Sequence, residues 1–228
     1  MVVAMPTGLD ILLITIYLIC ITLVFEQMRS ALFVEQVEII FNRDNLRKQL
    51  ESQLLQEVIQ IEFKLKPRYP RNSLPSDVEI VIKNISNDKW IYLEWDYSCV
   101  IDVDGEAKRL IRVPPGSTFD LFPSQMFTVV SPNTNLKQKL TSEAALKQNA
   151  ETGNLKIESA LINLSKLNKS KKYVRLEKIL KEPAIFYIRL VMRIGEEAKQ
   201  NKKNRFCILN GCFTVKAVHW KQQLPWNM

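Results

Sequence analysis

The feature that most restricts this chain is an uncharged run near its start. Ile11–Phe25 reads ILLITIYLICITLVF, and widening it to Thr7–Phe25 admits only Asp10. A segment this apolar can meet its peptide groups' hydrogen-bonding needs inside a bilayer only as a helix. Its nineteen residues, rising ~1.5 Å each, span about 28 Å, close to the ~30 Å hydrocarbon core. Residues 9–25 are therefore expected to cross a membrane once, after a short tail at 1–8. Residues 1–10 hold no Lys or Arg and the run closes on bulky Leu23, Val24 and Phe25. It thus lacks the basic start and small cleavage residues of a removable signal, so an uncleaved anchor is expected. Arg29, Arg43, Arg47 and Lys48 follow the span while no base precedes it, which predicts a cytoplasmic soluble part. Sequons at Asn84, Asn163 and Asn168 point the other way, but N-x-[ST] arises often by chance in a chain rich in Asn and Ser.

Beyond the span, hydrophobic period assigns the elements. Residues 26–57 hold no Gly or Pro and space Leu46, Leu50, Leu54 and Leu55 helically, which predicts a helical stalk. From Val58 the period is two: Ile59, Ile61, Phe63 and Leu65 alternate with polar partners up to Pro67. Val78, Ile80 and Ile82 make a second strand. Ile91, Leu93, Trp95, Tyr97 and Cys99 make a long third that enters Asp102-Val103-Asp104-Gly105, a signal for a type I′ hairpin with 107–113 returning. Short runs follow at Thr118–Phe122 and Gln125–Val130. Residues 133–182 shift to Asn, Lys, Leu, Ser and Gln and read as a basic insertion, part helical and part irregular, with helices at Leu136–Asn149 and Lys171–Lys181. Alternation resumes from Phe186 to Ile194, and a last ribbon runs from Phe206 to Trp220.

The expected fold class is therefore mainly β. A transmembrane helix and helical stalk precede an antiparallel sandwich formed by 58–132 and 183–228, interrupted by the insertion at 133–182. The rhythm of VEIVIKNISNDKW before a Trp-bearing strand resembles membrane-anchored immunoglobulin-like or fibronectin-type β-sandwich proteins. Cys99 follows Trp95 in the same strand, so the Cys-Trp-Cys hallmark of true immunoglobulin domains is missing. The resemblance implies an architecture and no activity.

Charge is distributed unevenly. The net +8 resolves into −4 over residues 1–132, +6 over 133–182 and +6 over 183–228. The densest stretch holds Lys166, Lys169, Lys171, Lys172, Arg175, Lys178 and Lys181, with Glu177 as its one acid. A second run adds Lys199, Lys202, Lys203 and Arg205. These bases form the expected interaction surface. Anionic lipid is a possible ligand for such clusters beside a membrane. Nucleic acid is a poorer fit, because Tyr173 is the only stacking ring in the densest run.

The same composition excludes much chemistry. Six glycines, at 8, 105, 116, 153, 195 and 211, allow no G-x-G-x-x-G or phosphate-binding loop, and a single His219 allows no H-E-x-x-H site. Asp102, Asp104 and Glu106, with Glu94 and Asp96 nearby, lack the spacing of a calcium loop. Cys207 and Cys212 lack further ligands for a zinc tetrahedron. On one extended strand Cys212 and His219 face opposite ways, roughly 23 Å apart at ~3.3 Å per residue, unless the chain turns between them. No catalytic residue, metal or cofactor is expected. The expectation is a non-enzymatic, single-pass membrane protein whose sandwich is a protein-interaction, assembly or auxiliary-subunit module of a membrane complex. Peripheral binding of anionic lipid or nucleic acid through the insertion is the alternative, and a hydrolase using acids near 102–106 ranks last.

Overall fold

The computed structural model describes residues 8–32, 36–113, 125–148, 155–164, 183–196 and 205–218. The chain divides into two compact units, Gln36–Ala217 and a second holding Met1–Glu35 with Val218–Met228. In the second unit the apolar run forms helix α1, Gly8–Leu32. Its stretch Gly8–Phe25 is long and apolar enough to cross a membrane, and none of it is buried. Thr15 donates its hydroxyl to the Ile11 carbonyl at 2.8 Å and Thr22 to Leu18 at 2.7 Å, so both hydroxyls are satisfied within the helix.

The other unit is antiparallel β. The stalk expected over 26–57 is not a continuous helix. Gln36–Phe41 is strand β1, with Val37 and Ile39 buried and Phe41 packed against the core. Val37, Ile39 and Phe41 follow a period of two, which outweighs the helical preference of a stretch lacking Gly and Pro. Helix α2, Arg43–Ser52, follows; its N-cap Asn42 accepts the Asn45 N–H at 3.0 Å, and Leu46 and Leu50 are buried.

Strands β2 (Ile59–Lys64), β3 (Arg68–Pro70) and β4 (Val78–Asn84) come next. The expected third strand is broken. β5 (Lys89–Leu93) and β6 (Cys99–Ile101) flank a short 3-10 turn, Trp95–Tyr97, which carries the Trp95 ring into the core. Ser98 seals the break: its hydroxyl donates to the Glu94 carbonyl at 2.7 Å and accepts the Val191 N–H at 3.0 Å. The 102–105 hairpin leads into β7 (Ala107–Val113) as expected, but in another geometry. Gly105 has φ +82 and Asp104 has no positive φ, while Gly105 N–H bonds the Asp102 carbonyl. That is a type I turn closed by a left-handed glycine in place of type I′.

Strands β8 (Thr128–Val130) and β9 (Asn135–Ser142) follow, so the insertion does not begin at 133. The helix expected from Leu136 is a strand in mid-sheet, with Leu136, Gln138 and Leu140 facing inward and Lys137 and Lys139 outward. Pairing on both sides overrides the helical preference of Lys, Gln and Leu. A two-stranded ribbon, β10 (Leu146–Gln148) with β11 (Leu155–Ile157), precedes the two long strands β12 (Ala184–Glu196) and β13 (Arg205–Ala217). The expected helix at Lys171–Lys181 and the run Thr118–Phe122 lie outside the described residues.

The main sheet runs β2-β4-β9-β7-β6-β12-β13-β1-β3, with β5 beside β6 on β12 and β8 on β5. It curls at β7, whose Ala107–Arg109 pairs with β6 while Leu110–Val113 pairs with β9. The curl brings β2 over β13, where the Phe63 and Phe213 rings meet edge to face at 5.2 Å. One core fills the curl, drawn from Ile80 and Ile82 on β4, Leu140 on β9, Ile188 to Met192 on β12 and Leu209 to Val215 on β13. Where β13 runs beyond β1, α2 covers its edge with side-chain amides. Gln49 accepts the Asn210 N–H at 2.8 Å and donates to the Asn210 carbonyl at 2.9 Å, and Gln53 donates to Ile208 O. Two glutamines thus stand in for a neighbouring strand on an edge open to wrong pairing.

Candidate functional site

Most of the bases singled out from sequence, Lys166, Lys169, Lys171, Lys172, Arg175, Lys178, Lys181, Lys202 and Lys203, lie outside the described residues. Arg205 opens β13 and is exposed. The segment leading into the densest basic run is described, and it is fixed. Leu161, Ile162 and Leu164 are buried in the main core. Between them the Asn163 N–H points at both carboxylate oxygens of Asp102, 3.3 Å from each. Asp102 is 2% exposed, accepts its neighbour's N–H from Val103 at 2.8 Å and is paired with Lys108 Nζ at 2.7 Å. A buried carboxylate with these partners is an anchoring group for the insertion.

The acids once considered for chemistry are therefore dispersed. Asp102 holds Lys108, Asp96 holds Arg109, and Glu94 holds Arg193. Among the described residues no group of three His, Cys, Asp or Glu side chains is placed to share a metal ion. Burial pushes the Cys99, Cys207 and Cys212 thiols up, and none of the three is in a disulfide. Asn210-Gly211, which could have turned the chain beside Cys212, runs straight through β13. His219, Trp220 and Trp226 lie outside the described residues.

The sequons separate by environment. Asn84 is 2% exposed; its amide donates to the Lys89 and Val130 carbonyls, and its oxygen accepts from both the N–H and hydroxyl of Ser86. No acceptor nitrogen is free there for a glycan. Asn163 is exposed, and Asn168 lies outside the described residues.

The sequence did not reveal the contrast between the sheet's two outer faces. On β2, β4 and β9 the outward side chains are mostly charged or polar around Val81, and several pair: Lys64 with Glu79 at 3.0 Å, Lys137 with Glu79 at 3.4 Å, and Lys83 with Glu62 at 3.9 Å. The Lys64 ammonium, helped by Lys137, holds the Glu79 carboxyl below its ordinary value. This is a solvated surface.

The outward face of β8, β5, β12 and β13 is different. Register aligns Val129, Tyr92, Arg193 and Phe206 in one row across four strands, with Val191 and Ile208 in the next. Phe206 is 66% and Ile208 50% exposed, and Met126, 75% exposed, with Phe127 extends the apolar surface beyond β8. Arg193 sits in the middle of it. Its Nε donates to Glu94 at 2.5 Å while its guanidinium lies 5.3 Å over the Tyr92 ring and 5.6 Å over Phe127. Stacking and ion pairing hold this arginine in place. One hint was present in the sequence: AIFYIRLVMRI is apolar at positions of both parities, as expected of a strand covered on both sides.

No protein-family model matches this chain, and no curated protein or solved structure matches it.

Proposed function

We propose that this is a non-enzymatic, single-pass membrane protein whose β-domain serves as an interaction or assembly module of a membrane complex, with the basic insertion as its protein-contacting surface. The observation that carries the reading is the root of that insertion. Leu164, two residues before Lys166, is buried in the core, and Asp102 binds the chain one residue earlier; Ala184 of β12 follows three residues after Lys181. A run with seven bases is therefore delimited on both sides by ordered domain, which favours display over free solvation. The curled sheet is read as a variant of an immunoglobulin-like sandwich, its two arms joined through β7. A cytoplasmic position is supported by the bases that follow α1 and by the buried state of Asn84, which removes one sequon from the opposing argument.

The experiment is affinity purification of the full chain from membranes in mild detergent after cross-linking. Partners should be recovered with the wild type and lost when Lys169, Lys171, Lys172 and Arg175 are changed to Gln. Recovery of the chain alone under all conditions, or partners indifferent to the four changes, would refute the assignment.

A further inference from the structure

We propose that the outward face of β5, β8, β12 and the first half of β13 rests on an anionic bilayer surface. The inference builds on α1 as a membrane anchor and concerns a surface other than the insertion. The row Val129, Tyr92, Arg193 and Phe206 sets apolar and aromatic side chains around one stacked arginine, with Val129 and Phe206 exposed, on a domain whose opposite arm presents paired charges instead. Such a patch on a soluble fold marks a contact surface.

Charge identifies the occupant. Glu94 is the acid within this half of the face, and Arg193 uses it. Glu38, at the far end, lies opposite Lys216 in the register. Among the described residues Arg189, outward on β12 opposite Asn210, bonds only the neutral Asn210 amide, so its charge is uncompensated on this face. Protruding Phe206 and Ile208 beside the unneutralised Arg189 fit anionic headgroups over an acyl boundary. A second copy of the chain would set the same cations face to face. Only residues 33–35 separate α1 from β1, so a bilayer holding α1 is present at high effective concentration.

The full chain is placed in nanodiscs of phosphatidylcholine alone or with phosphatidylserine, and side chains are oxidised by hydroxyl radicals and read by mass spectrometry. Met126 and Phe206 should be oxidised several-fold less on the anionic discs, with Leu54, exposed after α2, as the unchanged control. High salt should restore labelling by screening, and so should Arg189→Gln. Equal labelling on both disc types overturns the proposal. So does protection on neutral discs that ignores salt, and so does protection in detergent that grows with protein concentration, which would mean self-association. A chain that fails to co-migrate with discs defeats the anchor reading itself, an outcome distinct from unchanged labelling on embedded protein.

Discussion

Replacing Gly211 by Ala tests whether the two arms of the sheet close on one another. A Cβ at this position would stand 2.9 Å from Cε2 and Cζ of Phe63 on β2 and 3.3 Å from Cε2 of Phe213. Carbon contacts settle near 3.5–4.0 Å, so the Phe63 ring has to retreat by roughly 0.6 Å or more. Its freedom is limited, because Phe41 meets it edge to face at 5.0 Å and Phe213 at 5.2 Å, with Phe186 stacked on Phe213 at 4.8 Å. Overpacking of this kind costs about 1–3 kcal/mol. Ala in place of Gly in a strand interior recovers about 0.5–1 kcal/mol of conformational entropy. The expected net loss is about 0.5–2 kcal/mol, or some 2–6 °C in Tm at roughly 3 °C per kcal/mol for a domain of this size. Urea and thermal unfolding of the full chain in detergent, followed by circular dichroism, read the change. Phe63→Leu shortens the obstructing ring, so in a double-mutant cycle it should offset the Ala penalty with a coupling of about 1 kcal/mol. A stabilising Gly211→Ala, or one that does not couple to Phe63, would mean that β2 does not lie over β13.

Asp102→Ala leaves Lys108 and the Asn163 N–H without their acceptor and should cost about 2–4 kcal/mol, with proteolysis within 155–164 preceding global unfolding; cleavage that starts elsewhere would count against the anchoring role. The Asp96 carboxyl is pulled up by burial, but the Arg109 guanidinium and the Gln125 N–H outweigh this and hold it below its ordinary value. A carboxyl depressed in the fold contributes stability above its unfolded pKa of about 4 and loses it as the pH falls through the folded value. The deficit of Asp96→Asn at neutral pH should therefore shrink in acid unfolding curves below about pH 4; a deficit constant with pH removes the pairing argument. In sealed vesicles, protease added to the cytoplasmic side should digest the β-domain. If the chain is instead forced through a translocating signal, glycosylation should occur at Asn163 or Asn168 and spare Asn84; a glycan on folded Asn84 contradicts its buried hydrogen bonds.

Elements with a polar outer face were legible in the sequence. Ile59 to Leu65 alternates cleanly because its outward neighbours meet solvent, Val78 to Ile82 alternates apart from outward Val81, and α1 is visible from composition alone. Elements that fail to follow local preference were not. In β9, Lys137 and Lys139 lie on helix-favouring sequence, and only pairing with β4 and β7 makes that stretch a strand. Trp95 keeps strand parity in the sequence while the chain leaves the ladder at Glu94 and rejoins it at Cys99. The apolar row was invisible for a plainer reason: Tyr92 and Phe206 are far apart along the chain, and only the register of β5 and β13 on β12 brings them together. Asp102 was noticed as a turn residue, yet its role as an anchor depends on Asn163, which no local pattern connects to it.

The β12–β13 ladder explains why the two outer faces differ. Eleven residue pairs join these strands, from Ala184 with Val215 to Ile194 with Arg205. Inward, Phe186, Ile188, Leu190 and Met192 are buried with Leu209 and Phe213. Outward, Ile185, Val191, Phe206 and Ile208 are also apolar. A strand needs apolar side chains on one face to fold and on both faces only where both are covered. Solubility alone would favour the pattern of β2, where Gln60, Glu62 and Lys64 take the outer positions at no cost to the core. Phe and Ile outward on these long strands, with Arg189 and the Glu94-paired Arg193 between them, make a surface suited to the proposed partner, one both apolar and anionic. For a chain that carries the apolar helix α1, the proposed bilayer surface has both properties.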